Sequence, residues 1–163
     1  MKLLFKSVMS DLNSKAKNYC YLLLKYRPRS IKEITDRLSA KKYPQDVIYQ
    51  TIAKLKEENL LNDREFARMW IESRRQVKYL GKKALFLELK IKGIDEEIIY
   101  DLFSNIDDQE EIDLARNFAQ KISRQLGALN DLKTKNKFFM RLKRRGFSFS
   151  IINAVINEIY YEN

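Results

Sequence analysis

Residues 60–102 read LLNDREFARMWIESRRQVKYLGKKALFLELKIKGIDEEIIYDL, and their periodicity decides the fold. Asn62 or Asp63 suits a helix start, because a short side-chain oxygen accepts amides that a first helical turn leaves unpaired. Phe66, Ala67, Trp70 and Ile71 follow at helical spacing. A basic connection, Arg74, Arg75, Lys78, then Gly81, Lys82 and Lys83, leads to a helix carrying Leu85 and Leu89. Gly93 stops that helix as a C-terminal glycine, Ile94 packs behind the turn, and Asp95 caps a third helix with Ile98, Ile99, Leu102, Phe103 and Ile106.

The same plan extends in both directions. Upstream, residues 1–14 read as a short lead-in docked by Leu3, Leu4 and Phe5. Helical periodicity begins near Lys15 with Ala16, Tyr19, Cys20, Leu23 and Leu24, and Pro28 must end it. Ser30 with Glu33 forms a capping-box pattern ahead of Ile31, Ile34 and Leu38, and a further helix starts around Pro44 with Val47, Ile48, Ile52 and Leu55 inward. Downstream, a helix from about Glu110 carries Ala115, Phe118, Ala119 and Ile122, and Gln125 to Thr134 read as a longer polar loop. Phe138 and Leu142 belong to the next helix, Gly146 stops it, Ser148 or Ser150 caps, and Ile151, Ile152, Val155, Ile156 and Ile159 close the chain.

Setting Leu38, Leu89 and Leu142 in register exposes an internal repeat. Four residues earlier stand Ile34, Leu85 and Phe138; five later, Tyr43, Ile94 and Phe147; fourteen later, Ile52, Phe103 and Ile156. The period is about 51 to 53 residues, that of a stacked helical unit. Each unit alone has a marginal core, so neighbours are expected to bury its remaining faces. The expectation is all-α: a tandem array of three three-helix repeats forming an elongated, curved body. Its boundaries are a lead-in at 1–14 and repeats at 15–61, 62–109 and 110–163.

Composition agrees: 4 Gly and 2 Pro in 163 residues are too few for a turn-rich strand protein. With no His and one Cys, the usual triads, zinc sites and internal disulfides are excluded. No cofactor site is expected, and no glycine-rich phosphate cradle or span of ~20 apolar residues is present. Cys20 sits on an apolar face, where packing is the simpler role than reactivity. The carboxylates Glu57, Glu58, Asp95 to Glu97 and Asp107 to Glu111 lie near helix ends, where they favour the dipole or solvate a loop.

The formal charge of +10 favours polyanionic or acidic partners, although a codon bias toward Lys produces the same excess. Three basic clusters fall at equivalent repeat positions: Lys25, Arg27, Arg29; Arg74, Arg75, Lys78, Lys82, Lys83; and Lys133, Lys135, Lys137, Arg141, Lys143, Arg144, Arg145. They are expected either to line up as one basic stripe or to form ordinary solvated helix faces. Trp70, Phe66, Phe118, Phe138 and Phe147 are in core phase, so burial is expected rather than base stacking. The Gly81–Lys82–Lys83 start is a poor match to a DNA-reading recognition helix.

Leu61-Asn62-Asp63-x-x-Phe66-Ala67-x-x-Trp70, Arg74, and Gly81-x-x-x-Leu85-x-x-Glu88-Leu89-x-x-Lys92-Gly93-Ile94 resemble the RecX family of recombination regulators. The resemblance implies a non-enzymatic, cytoplasmic bacterial protein, monomeric, that binds the RecA recombinase and its filament on single-stranded DNA. It would limit filament growth, ATPase and strand exchange in recombination, DNA repair and the SOS response. Candidate RecA- or DNA-contacting residues are Arg74, Arg75, Lys78, Lys82, Lys83, Lys137, Arg141, Arg144 and Arg145. Two departures stand out: Lys82 where many relatives place Pro, and Lys42 where the other two repeats have glycine. A free-standing nucleic-acid-binding module and a plain helical scaffold are the alternatives.

Overall fold

The structure, a computed structural model, describes residues 2–126 and 131–161, with side chains for residues 9–125 and 131–159. Among the described residues there are nine helices and no strand. They run α1 (Lys2–Tyr26), α2 (Ile31–Ala40), α3 (Gln45–Glu57), α4 (Asp63–Lys78), α5 (Lys82–Ile91), α6 (Glu96–Ser104), α7 (Asp108–Leu126), α8 (Leu132–Arg144) and α9 (Phe149–Tyr161).

Most helix boundaries follow from local chemistry. Ser30 accepts the Glu33 amide while Glu33 reaches back to the Ser30 amide, the reciprocal capping box. Asn62, not Asp63, caps α4, accepting the amides of Arg64 and Glu65 at 3.0 and 3.1 Å. Asp63 instead accepts the Ile31 amide at 2.8 Å, so one of the two candidate caps serves α4 and the other α2. Asp95 caps α6, and Ser148 accepts the Ile151 amide at the start of α9. Gly93 and Gly146 adopt φ of +77° and +84°, a left-handed conformation that favours glycine. Lys42, the residue in register with them, takes the same conformation at φ +61° despite its side chain.

Two expectations about segment ends are corrected. Residues 2–14 are not a separate lead-in: α1 continues through them without a break. The side chains of Leu3, Leu4 and Phe5 lie outside the described part. The expected loop from Gln125 to Thr134 is largely helical at its ends, since α7 persists to Leu126 and Asp131 caps α8 by accepting the Thr134 amide. Within that span, residues 127–130 lie outside the described part.

The chain forms two compact units, Met1–Ala67 with Lys92–Ile94, and Arg68–Ile91 with Asp95–Asn163. In the first, α1 and α2 pack on α3 around Ala16, Cys20, Ile34, Leu38, Val47, Ile48, Leu55 and Leu61. Burial pushes the Cys20 thiol up to about 11, so it behaves as an inert core group. Lys92–Ile94 join this unit because Ser30 Oγ donates to the Lys92 carbonyl at 2.7 Å and Lys92 Nζ meets Glu33 at 2.5 Å. In the second unit, α7, α8 and α9 enclose Ala115, Phe118, Ala119, Ile122, Phe138, Leu142, Phe147, Ile152, Val155 and Ile156. The register residues Leu38, Leu89 and Leu142, and Ile34, Leu85 and Phe138, are all fully buried, as the repeat requires.

Candidate functional site

The basic connection of α4 and α5 is first of all a structural joint. Trp70 does not enter the core as its phase suggested; it is half-buried, with the Arg74 guanidinium over its ring at 4.0 Å. Trp70 Nε1 and Arg74 Nε both donate to Glu88 Oε2, at 2.8 and 2.9 Å. One carboxylate oxygen on α5 thereby fixes an indole and a guanidinium one turn apart on α4. Charge-assisted bonds sharing an acceptor explain why Trp, Arg and Glu stand at these spacings.

A second joint involves Glu111 on α7, which sequence proximity to a helix end had suggested was a dipole or loop charge. It is buried, at 4% exposure, and accepts from Arg75 Nη1 through Oε1 and from the Lys82 amide through Oε2 at 3.2 Å. A Pro at position 82 would have no amide to donate; Lys82 supplies one, and Glu111 receives it. The Lys82 ammonium itself donates to the Ile106 carbonyl at 2.6 Å, just beyond the end of α6.

The third joint brings two basic clusters together. The Gly81 amide donates to the Arg145 carbonyl at 2.8 Å, and the Lys83 amide donates to the Gly146 carbonyl at 3.2 Å. The carbonyl end of α8 thus meets the amide end of α5, matching opposite helix-dipole ends. The approach is close enough that a Cβ on Gly146 would overlap the Ala84 nitrogen and stand 2.5 Å from the Ala84 Cβ, and a Cβ on Gly81 would stand 2.9 Å from the Gly146 backbone. Glycine is needed at both positions for close approach rather than for flexibility alone.

Around this junction two depressions open. One, of about 380 Å³, is lined by Lys83, Leu87, Phe139, Lys143, Arg144 and Phe149 among others. The other, of about 410 Å³, lies among Val77 in the last turn of α4 and Tyr79 just past it, Phe118, Lys121 and Gln125 of α7, and Arg141 and Arg144 of α8 with Arg145 at its C-cap. Arg144 lines both.

The nine candidate cations therefore divide. Arg74, Arg75 and Lys82 are engaged within the fold, with Glu88, Glu111 and the Ile106 carbonyl. Lys78, Lys83, Lys137 and Arg144 are exposed. Arg141 donates to Gln125 Oε1 at 3.0 Å, and Arg145 lies over the Phe118 ring at 4.8 Å. In the first unit, Arg27 pairs with Glu33 and Arg29 donates to the Leu23 carbonyl, leaving Lys25 exposed. Sequence reading missed Lys121; the available signal was that it follows the core residue Phe118 by three positions, on the same helix face. Among the described residues no group of three or more His, Cys, Asp or Glu residues could hold a metal ion, and no helix is long and apolar enough to cross a membrane.

This arrangement defines a class: an all-α protein built as three tandem three-helix domains. Sequence models of the RecX first, second and third three-helix domains match residues 16–55, 62–101 and 108–156. The chain belongs to the RecX family of regulatory proteins. It is 36% identical over 140 residues to the Regulatory protein RecX of Bacillus licheniformis, covering 86% of this chain and 53% of that protein. It is 31% identical over 144 residues to that of Amycolatopsis mediterranei, covering 88% and 82%. The chain spans about half the length of the curated Bacillus relatives it matches. The crystal structure of RecX from Lactobacillus salivarius superimposes with a TM-score of 0.82 at 28% identity, over 93% of this chain and 99% of that one.

Proposed function

We propose that this chain binds the RecA recombinase, chiefly as its filament on single-stranded DNA, and limits filament growth, ATPase and strand exchange. It acts by binding, without a chemical step of its own, as a cytoplasmic monomer in recombination, repair and the SOS response. Working domain limits are 15–61, 62–109 and 110–163. Membership in a family of regulatory proteins supports this reading.

The observation that carries it is the mixed surface of the second unit. Lys82 and Lys83 line a shallow, mainly apolar depression with Phe86, Leu87, Tyr100 and Phe103, where the Phe86 and Tyr100 rings lie 5.6 Å apart, tilted by 37°. Leu87 and Tyr100 are 63% and 59% exposed, more than a solvated helix face needs. An apolar surface edged by two lysines suits a protein partner whose surface is partly apolar and carries acidic groups. A catalytic alternative finds little support, since the chain has no His and its buried carboxylate Glu111 is committed to Arg75 and the Lys82 amide.

The test is RecA ATP hydrolysis on single-stranded DNA with added protein. Hydrolysis is expected to fall at stoichiometric protein, and a Leu87→Glu, Tyr100→Ala variant is expected to lose most of that effect. Unchanged hydrolysis at stoichiometric wild-type protein would overturn the proposal.

A further inference from the structure

We infer that the outer face of α5, with α6 on one side and the start of α9 on the other, is a two-site groove for one amphipathic helix of the protein partner. That helix is apolar on the face it lays down and acidic along its flank. The inference deepens the proposed function and rests on it for the partner's identity; the groove itself is argued from the second unit alone.

Comparing the repeats shows which apolar residues the fold does not require. α5 buries Leu85 and Leu89 fully and turns Leu87 and Ile91 outward at 63% and 74% exposure, so it is apolar on two faces. A helix apolar all round is ordinarily covered all round. Two residues before the register leucine, where α5 has Leu87, α2 has Asp36, exposed and paired with Lys32. Seven residues after it, where α9 has Phe149, the first two repeats have Gln45 and Glu96. Phe149 is 66% exposed and meets the Phe139 ring edge-on at 5.8 Å. Equivalent positions accept an acid or an amide in a sibling repeat, so Leu87 and Phe149 serve the surface and not the core.

The two depressions on this face adjoin. The one lined by Phe86, Tyr100 and Phe103 and the one lined by Phe139, Phe147 and Phe149 share Lys83 and Leu87. Their volumes, about 420 and 380 Å³, each admit a large apolar side chain, with Leu87 between them. Two anchor sites flanking one side chain match apolar residues a turn or two apart on a helix. Among the described residues there is no strand, hence no sheet edge on which an extended segment could pair its backbone. A helix arrives with its backbone hydrogen bonds already closed.

Charge supplies the rest of the partner's description. No carboxylate lines either depression, whereas Lys83, Lys143 and Arg144 edge the groove. These three are exposed and stand in no ion pair among the described residues, unlike Arg74 and Arg75 close by in sequence. A helix whose flank carries Asp or Glu is therefore the complementary one. A strand of nucleic acid is less well suited, because the residue common to both sites is an aliphatic Leu with no ring on which a base could stack.

The experiment replaces Tyr100 or Phe149 of the full chain, one at a time, by the photocrosslinker p-benzoylphenylalanine. Each protein is irradiated with RecA assembled on single-stranded DNA, and the adducts are mapped by mass spectrometry. Both positions are expected to label one RecA segment with apolar residues at helical spacing and Asp or Glu beside them. Adducts on two unrelated segments, on the DNA, or from one position only would overturn the groove. RecA hydrolysis is followed in unirradiated portions of the same samples. A fall in hydrolysis with no adduct overturns the groove alone; neither fall nor adduct overturns the proposed function with it; adducts on one segment without a fall support the groove and overturn only the inhibition. A second measurement uses Leu87→Asp, Phe149→Glu, which installs residue types the sibling repeats carry there, with circular dichroism as the check on folding. Its binding to the filament is expected to weaken by about tenfold or more. Leu22→Asp, Tyr26→Glu makes the same charge change at exposed apolar positions of the first unit and is expected to weaken binding less than about threefold. Equal weakening by the two variants would show a net-charge effect and overturn the groove.

Discussion

Glu33 of α2 and Lys92, one residue past α5, meet at 2.5 Å within the first compact unit. Glu33 also accepts from Arg27 and from the Ser30 amide, while Ser30 Oγ donates to the Lys92 carbonyl. A helix cap chosen by local sequence is thus completed by a residue about sixty positions away.

Acid stability follows from this cluster. Burial opposes ionisation of Glu33, yet the hydrogen bonds from Arg27, Lys92 and the Ser30 amide outweigh it and hold the carboxyl at about 2. The folded pKa is depressed below the ordinary carboxylate value, so the stabilisation is present above about pH 4.5 and lost as pH falls toward 2. Glu33→Gln is expected to destabilise at pH 7 by on the order of 2–3 kcal/mol. Urea midpoints of the two proteins should converge between pH 4.5 and 2; a constant gap across that window would show that ionisation is not the cause.

The repeat makes a paired backbone prediction. Gly146→Ala combines φ +84° with a Cβ 2.5 Å from the Ala84 Cβ, and should cost about 2–4 kcal/mol or prevent folding. Lys42→Gly relieves the same conformation in the first repeat without a clash to answer, and should leave stability unchanged or raise it by up to about 1 kcal/mol. Urea denaturation distinguishes them by sign.

Glu88 should matter more than either donor that shares it. Removing it in Glu88→Ala strands both Trp70 Nε1 and Arg74, with an expected cost of about 1–3 kcal/mol. Trp70→Phe keeps a ring and should cost about 1 kcal/mol. A double-mutant cycle on Arg74 and Glu88 is expected to give a coupling above about 0.5 kcal/mol; additivity would mean the pair is not maintained in solution.

Arg75 and Lys78 are neighbours in sequence with opposite expectations. Arg75→Ala leaves Glu111 buried at 4% exposure without its cation, and should cost about 3 kcal/mol. Lys78→Ala, at an exposed position, should stay within about 0.5 kcal/mol. Binding defects in Arg75 variants therefore need a thermal-melt control before they are assigned to a partner.

The sequence by itself determined the all-helical class and the plan of three tandem three-helix repeats. Apolar periodicity, capping residues and positive-φ glycines act within a turn or two, and Leu38, Leu89 and Leu142 mark the register directly. Basic residues were legible only as clusters, because a run such as Arg74 to Lys83 does not say which members face a carboxylate. Glu88 and Glu111 lie 14 and 36 residues from the arginines they bind, and only tertiary packing brings them there. The same packing decided that Asn62 caps α4 while Asp63 turns to Ile31, and that Trp70 carries a guanidinium instead of filling the core. It also set the carbonyl end of α8 against the amides of Gly81 and Lys83, joining basic groups about sixty residues apart around one junction. Local rules specify helices because their hydrogen bonds close within a turn; a charged surface depends on which pairs meet, and that is a property of the folded chain.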